Sequence, residues 1–408
     1  MFSRYLVWPL SHEVTNVARS EATISRSGLR RLSILSLVAA VGCAVLVGGC
    51  GRAGAAAAEL SAQEVAELRA AERSETVLSK VFRVDQKYRS MMGPHEIVEL
   101  QLGSDLSEGS DDILWITGYR AEMVSADGKR PMPQEFMCHS NLDIDVASHQ
   151  ETLDVDISFS PRLFTLSQGQ LEIDFPSGYG IPVHRRETMA LTTQVLNLNH
   201  DAPKIDVRHR VTVTYVPDSA TAGRMRALQP VAAYGLALTE GESGHFGVEA
   251  PEEEVHGPGC LVEQPASDHS YEDGLGRVFT GHWQVPPGRQ ENRTLVTHLM
   301  NVPYETEMHY VAVHLHPFAE SLELRDLTAD KVLFRAEASQ FPGKIGLAEV
   351  DHFSDPDGVL VYPDHEYELV SVYRNTSGET QDSMAVMYIY LRDRRVEERI
   401  AELRGRGV

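Results

Sequence analysis

Residues 307–326 read EMHYVAVHLHPFAESLELRD, and their alternation decides the fold class. Successive side chains of a strand point to opposite faces. Val311, Val313 and Leu315 therefore share one face, and Tyr310, Ala312, His314 and His316 share the other. A valine face belongs in the core of a sandwich, so the two imidazoles stand together on the opposite, outward face. Two neutral imidazoles so placed reach one metal ion without bending the backbone. The plain alternative is a pair of partly exposed strand histidines.

A second strand, DSMAVMYIYL (382–391), alternates in the same way. Ala385, Met387, Ile389 and Leu391 form its apolar face; Met384, Val386, Tyr388 and Tyr390 form the other. A thioether at the start of that face can join the two imidazoles. Two nitrogens and one thioether favour copper, because soft sulfur selects Cu(I) and imidazole suits both oxidation states. Zinc more usually recruits thiolate, carboxylate or a third imidazole. As a lone residue, Met384 reads as packing.

Working outward, HEIVELQL, DILWITGYRAEMVSADGK, QLEIDF and RHRVTVTYV repeat this texture of short alternating runs between turn residues. Such spacing predicts antiparallel sandwiches. The expected fold is all-β: two antiparallel β-sandwich (jelly-roll-like) domains, with an N-terminal tether helix and a C-terminal helix. The expected boundaries are a signal peptide and lipobox at 1–50, tether and helix at 51–85, and an N-terminal β-sandwich at 86–237. An acidic Gly- and Pro-rich linker at 238–277 leads to a C-terminal copper-binding β-sandwich at 278–392 and a helix at 393–408. SAQEVAELRAAERSETVLSKV (61–81) reads as helix, opened by a Ser61–Glu64 capping box. Val396, Ile400 and Leu403 form one helical stripe at the other end.

Arg26, Arg30 and Arg31 precede an apolar run at 32–47, and LVGGC closes it at Cys50. A basic region, a short apolar region and small residues before a cleavage point read as a secretory signal. The cysteine after Gly48-Gly49 resembles a bacterial lipobox, which implies lipidation of Cys50. An uncleaved anchor is the alternative, although the run is short for a span of ~20 residues. These features place the chain in the bacterial cell envelope, lipid-anchored, facing periplasm or exterior. With Cys43 in the signal, Cys138 and Cys260 remain, and an oxidising compartment favours their disulfide over a free thiol or a metal ligand. The formal charge of −22 argues against nucleic acid and anionic lipid as partners. Membrane contact is then through the lipid alone, and oligomeric state is not legible.

Three motifs in order, WQVPPG (283–288), MHYVAVHLH (308–316) and DSMAVMYIYL (382–391), resemble the type II copper, ascorbate-dependent monooxygenases, the peptidylglycine α-hydroxylating and dopamine β-monooxygenase family. The resemblance implies His314, His316 and Met384 as ligands of the substrate-side copper, with Tyr388 kept on the substrate side. EFMCHSNLDID (135–145) resembles the strand carrying a His-His pair for the family's electron-delivering copper. Here the pair is Cys138-His139, so His139 alone carries over. Alternation places Phe136, Cys138, Leu142 and Ile144 on the core face and His139 outward with Asn141 and Asp143. In TQVLNLNHD (193–201) the family's third histidine matches Asn199 without a gap and His200 with a one-residue shift. Leu196, Leu198 and His200 alternate together, which leaves burial as the rival reading of His200. His209, among Val207, Val211 and Val213, reads as core.

The substrate anchors depart from the family. Its arginine and asparagine positions are Ala312 and Val386 here, so there is no bidentate clamp for a C-terminal carboxylate and peptidylglycine is not the expected substrate. What the resemblance implies is a copper-dependent monooxygenase-like lipoprotein, with one or two copper ions facing a wet cleft. It would hydroxylate a C–H bond of a small-molecule substrate with O2 and an external reductant, ascorbate or another. A non-catalytic copper-binding lipoprotein for storage, delivery or sensing competes with it, as does a metal-free β-sandwich interaction module. His282 and His309 lie near the motifs, as donors behind the ligands or as lone strand histidines. His245, His256 and His269 read as solvated linker residues. In RSMMGP (89–94), Met91 and Met92 either face copper or belong to a Gly-Pro turn.

Overall fold

The structure is a computed structural model that describes residues 60–405 except 91, 105, 107–112, 241–243, 247–269 and 273–276. Cys50, Met91, His256, Cys260 and His269 lie outside the described residues, and with them the signal, the lipidation site and one partner of the expected disulfide. The described residues belong to one compact unit. The fold is all-β with helices at both ends. Among the described residues no helix is long and apolar enough to cross a membrane.

A ten-stranded sheet runs through the molecule. Its path is Arg73–Leu78, Ile205–Pro217, Ile113–Ser125, Tyr179–His184, Arg226–Tyr234, Ala385–Arg392, Thr306–Leu315 and Phe353–Val361, with Phe82–Val84 and Glu172–Asp174 attached at the side. Neighbours pair antiparallel except where Arg226 and Ala227 meet Tyr179 and Gly180, a parallel join between its two halves. A four-stranded sheet of His95–Leu100, Met189–Val195, Met137–Asp143 and Arg162–Ser167 packs on the first half. A five-stranded sheet of Gly288–Leu295, Tyr367–Asn375, Ala319–Asp326, Lys331–Gln340 and Leu347–Val350 packs on the second. Two sandwiches thus share one sheet. Part of the acidic segment is structured too: Ala237–Glu240, Val278–Thr280 and Ser270–Glu272 make a small sheet.

The histidine strand, Thr306–Leu315, is buried on both faces. Val311, Val313 and Leu315 meet the five-stranded sheet, as the alternation requires. Tyr310 and Ala312 on the other face join Phe164, Phe175 and Tyr119 of the first half in a single core. The face expected to look outward is therefore covered. Phe175 packs on Tyr390 with ring centroids 4.8 Å apart and on Tyr310 at 5.5 Å. Edge-to-face pairs of this kind add roughly 0.5–1.5 kcal/mol each beyond the area they bury.

The turn Ser167-Gln168-Gly169-Gln170 locks the halves together. Phe353–Val361 pairs with the histidine strand only as far as Val311, which leaves the next backbone N–H groups without a strand partner. Gln170 Oε1 accepts the Val313 N–H at 2.8 Å, Gly169 O accepts the Val350 N–H at 3.0 Å, and Gln168 Oε1 accepts the Leu347 N–H at 3.2 Å. Gly169 has φ of +88°, and a Cβ there would lie 2.6 Å from Val350 Cγ2, so the turn requires glycine. Gln170→Ala should strip a buried N–H of its acceptor and cost about 1–3 kcal/mol. An unchanged denaturation midpoint would mean the turn does not hold the strand.

One expectation needs correction here. The helix opened by Ser61 has its capping box, with Ser61 Oγ accepting the Glu64 N–H at 3.3 Å, but it spans only Ala62–Ala71. Arg73–Leu78 is a strand, because the free edge of Ile205–Pro217 offers β-branched Thr76 and Val77 a ladder, with Thr76 Oγ1 3.1 Å from Thr212 Oγ1. In Met137–Asp143 the ladder slips between Met137 and His139, so Cys138 is the extra residue of a bulge. Met137 therefore joins Phe136, Leu142 and Ile144 in the core, and Cys138 is buried beside it as expected. The C-terminal helix Arg394–Gly405 buries Val396 and Ile400 against Leu68, Trp115 and Leu153, with Leu403 half-buried.

Candidate metal centre

The histidine strand and Ala385–Arg392 pair His314 with Val386 and Leu315 with Ala385. One step further, the His316 N–H donates to the Met384 carbonyl at 3.3 Å. His316 and Met384 are thus neighbours across the ladder, and Met384 packs at the margin of the shared core. The strand Trp283–Val285 pairs with Gln381–Ser383, opposing Gln284 to Asp382. That short ladder delivers His282 and Asp382 to the same place.

Three donor atoms converge there. Asp382 Oδ2 lies 2.9 Å from His282 Nε2 and 3.3 Å from His316 Nδ1. One ligand atom from each of the three residues lies within 4.8 Å of the others. Neither close approach has the direction of a hydrogen bond: His282 Nε2 and Asp382 Oδ2 are buried atoms with no hydrogen-bond partner. Ligands held ~2.0–2.2 Å from one ion stand at most about 4.4 Å apart, so sub-ångström adjustment brings all three into coordination range. Orphaned, converging nitrogen and oxygen atoms fit a metal ion.

His314 completes the group from the side. Its ring centroid is 5.3 Å from that of His316, which is in turn 5.5 Å from that of His282. His314 Nδ1 is 3.0 Å from Ser167 Oγ, and His316 Nε2 is 3.4 Å from Ser90 Oγ. The locked turn holds Ser167, so His314 is oriented by the other half of the molecule. Burial, reinforced by His316, His139 and Arg162, pushes the His314 imidazole well below its ordinary range. It is neutral, the form that binds metals. Burial pushes the Asp382 carboxyl up, and the two imidazoles beside it more than reverse this, lowering it below its ordinary range.

His139 stands directly across the ladder from Ser167. Burial, then the charges of Arg162, His316 and His95, lower it to about 4. His139, His314 and His316 are each 7–8 % exposed, so these imidazoles are buried rather than open to a wet cleft. His200 does not join His139. The strand stops at Val195, and Asn197 bridges both the N–H and the carbonyl of His200 into a turn. The alternation ends there, so His200 is neither buried nor beside His139. Its ring lies 3.4 Å from Glu135 Oε1, a carboxylate already paired with Lys344 at 2.8 Å, and its side chain is 40 % exposed. Among the described residues, His139 and His200 belong to no group of His, Cys, Asp and Glu with metal-binding spacing.

Tyr388 is buried opposite Ala312, with Arg162 and Thr165 as neighbours. Arg162 is ion-paired with Asp143 and donates to Thr165 Oγ1 at 3.1 Å. His309 stacks on Tyr179 at 4.0 Å with Nδ1 3.1 Å from Asp355 O, and His209 is in the core as expected. Asp382 and Ser167 were missed in the sequence, although Asp382 stands two residues before Met384. A concave bowl of about 390 Å³ on the five-stranded sheet is lined by Arg289, Glu291, Glu323, Arg325, Arg335 and Glu337 among others. Those charges pair with one another, so the bowl is self-compensated.

No protein-family model and no curated protein sequence matches the chain. Among solved structures it is similar to the STIV MCP, at 9% identity over 78% of this chain and 96% of that one, with a TM-score of 0.26. It is similar to a peptide-N(4)-(N-acetyl-β-D-glucosaminyl) asparagine amidase at 8% identity, covering 78% and 96% of the two chains, TM-score 0.30. PBCV-1 VP54 is similar at 8% identity, covering 78% and 93%, TM-score 0.30. At this level they bear on no residue of the site.

Proposed function

We propose that this chain is a copper-binding protein of the bacterial envelope, lipid-anchored at Cys50, which holds the ion through His282, His316 and Asp382 with His314 and Met384 as further donors. The observation that carries the reading is the convergence of His282 Nε2, His316 Nδ1 and Asp382 Oδ2 without hydrogen-bond alignment. Nitrogen and oxygen donors bind Cu(II) most tightly among the first-row divalent ions, and a thioether adds affinity for Cu(I). When bound, copper supplies one-electron redox chemistry. The chain's own residues orient and enclose: Ser167 fixes the His314 ring, the core around that ring keeps water from it, and His314, lowered by burial, stays unprotonated.

A monooxygenase-like role is the second reading. It is favoured by His139 one strand from Ser167, and by Tyr388 with Arg162 beside the same face. It would require a small-molecule substrate, O2 and an external reductant such as ascorbate. Coupled consumption of oxygen and reductant separates it from simple binding.

The test is copper per chain, on the full chain after loading and desalting. One ion is expected in the parent. It should be lost in His316→Ala and Asp382→Asn, and kept in His139→Ala and His200→Ala. Copper retained undiminished by Asp382→Asn, or absent from the parent, would refute the assignment.

A further inference from the structure

At the centre of the cluster His282 Nε2 and Asp382 Oδ2 are buried atoms, although their side chains are 31 % and 24 % exposed. One side of the cluster is capped by the residues just before His95–Leu100. Ser90 Oγ contacts His316 Nε2 at 3.4 Å. Two residues on, Met92 is 73 % exposed, a large apolar thioether in water. The same turn then delivers an exposed imidazole, His95.

The ladder continues that line inward. His95 pairs with Gln194, Gln194 pairs with His139, and His139 pairs with Ser167, all in the four-stranded sheet. Directly opposed residues share a face, so His95, Gln194, His139 and Ser167 form one row. Ser167 then meets His314 at 3.0 Å. Two strand spacings, about 10 Å, separate His95 from His139, and one more separates His139 from Ser167. Two imidazoles of this row, His95 and His139, thus stand between the surface and the buried cluster, with the Met92 thioether at the outer end. Nothing in the packing accounts for Met92: it is exposed, and the Gly93-Pro94 turn does not need a thioether.

We propose that Met92 and His95 form the entry site for cuprous ion, which is passed from them to the cluster at His316. This rests on the copper-binding reading above. It assigns Met92 and His95 to delivery, and leaves the resting ion to the inner residues.

The test is a rate. The full chain is mixed under argon with cuprous ion supplied as its acetonitrile complex, samples are desalted at intervals, and copper per chain is measured. The Met92→Leu/His95→Ala double variant should load several-fold more slowly than the parent and reach the same final ratio. His298→Ala, which removes an exposed imidazole from the short helix Thr297–Met300, should load like the parent. An unchanged rate in the double variant overturns the proposal. So does a lower final ratio, because Met92 and His95 would then hold the ion. A parent that retains no copper overturns the copper-binding reading, and the entry site with it.

Discussion

Acidification below pH 6.5 should destabilise this protein earlier than its carboxylates alone dictate, and His209→Leu should remove much of that sensitivity. His209 is fully buried among Val207, Val211 and Val213. Burial, and then the charge of His139, lower its imidazole to about 3 from an ordinary 6.5. Above pH 6.5 the ring is neutral in folded and unfolded chains alike, so it contributes no pH dependence. As pH falls, the unfolded chain takes up a proton that the folded one refuses, and stability drains away until about pH 3. At pH 5 the difference amounts to about 2 kcal/mol, rising to roughly 5 kcal/mol in full. His139, lowered to about 4, acts in the same direction. Neither ring nitrogen of His209 has a hydrogen-bond partner of normal geometry. Leucine should therefore be neutral or stabilising at pH 7 as well. Denaturant midpoints at pH 5 and pH 7 check this; equal pH slopes in parent and variant would show that His209 is not the titrating group.

The second large effect is at Gly93. A Cβ there would lie 1.9 Å from the Val195 carbonyl oxygen. That oxygen is backbone, so nothing can swing aside. Gly93→Ala must part the chain from Met189–Val195, breaking the Val195 N–H to Pro94 O bond of 3.1 Å and the Gln194 Nε2 to Gly93 O bond of 2.8 Å. Overpacking of this kind costs about 1–3 kcal/mol and more where backbone must move. A lowered melting temperature is expected, with hydrogen exchange accelerated first in His95–Leu100. A variant as stable as the parent would show that the approach at Gly93 is looser than described.

Alternation made the faces of the two key strands legible, and the cores fall where it puts them. Val311, Val313 and Leu315 share a core with Met387 and Ile389; Tyr310 shares another with Tyr388 and Tyr390. What periodicity cannot carry is the identity of the covering layer. The imidazole face was read as outward because a lone sandwich has one dry face, and a shared sheet has two. Bulges are equally silent: one inserted residue at Cys138 puts Met137 in the core beside a buried Cys138. The site itself was half legible. His314, His316 and Met384 were named from two strands that pair directly, whereas Asp382 and His282 meet through a ladder of only three residues a side. A ladder that short leaves no periodic trace. The resemblance set His139 and His200 at one site and alternation set His200 in the core, and the turn at Asn197 carries His200 instead to Glu135.

The most direct measurement is anomalous diffraction at the copper edge from crystals of the copper-loaded full chain. A single strong peak within bonding distance of His282 Nε2, His316 Nδ1 and Asp382 Oδ2 is the expected result. A peak elsewhere, or ordered imidazoles there with no peak between them, would contradict the assignment of the metal centre.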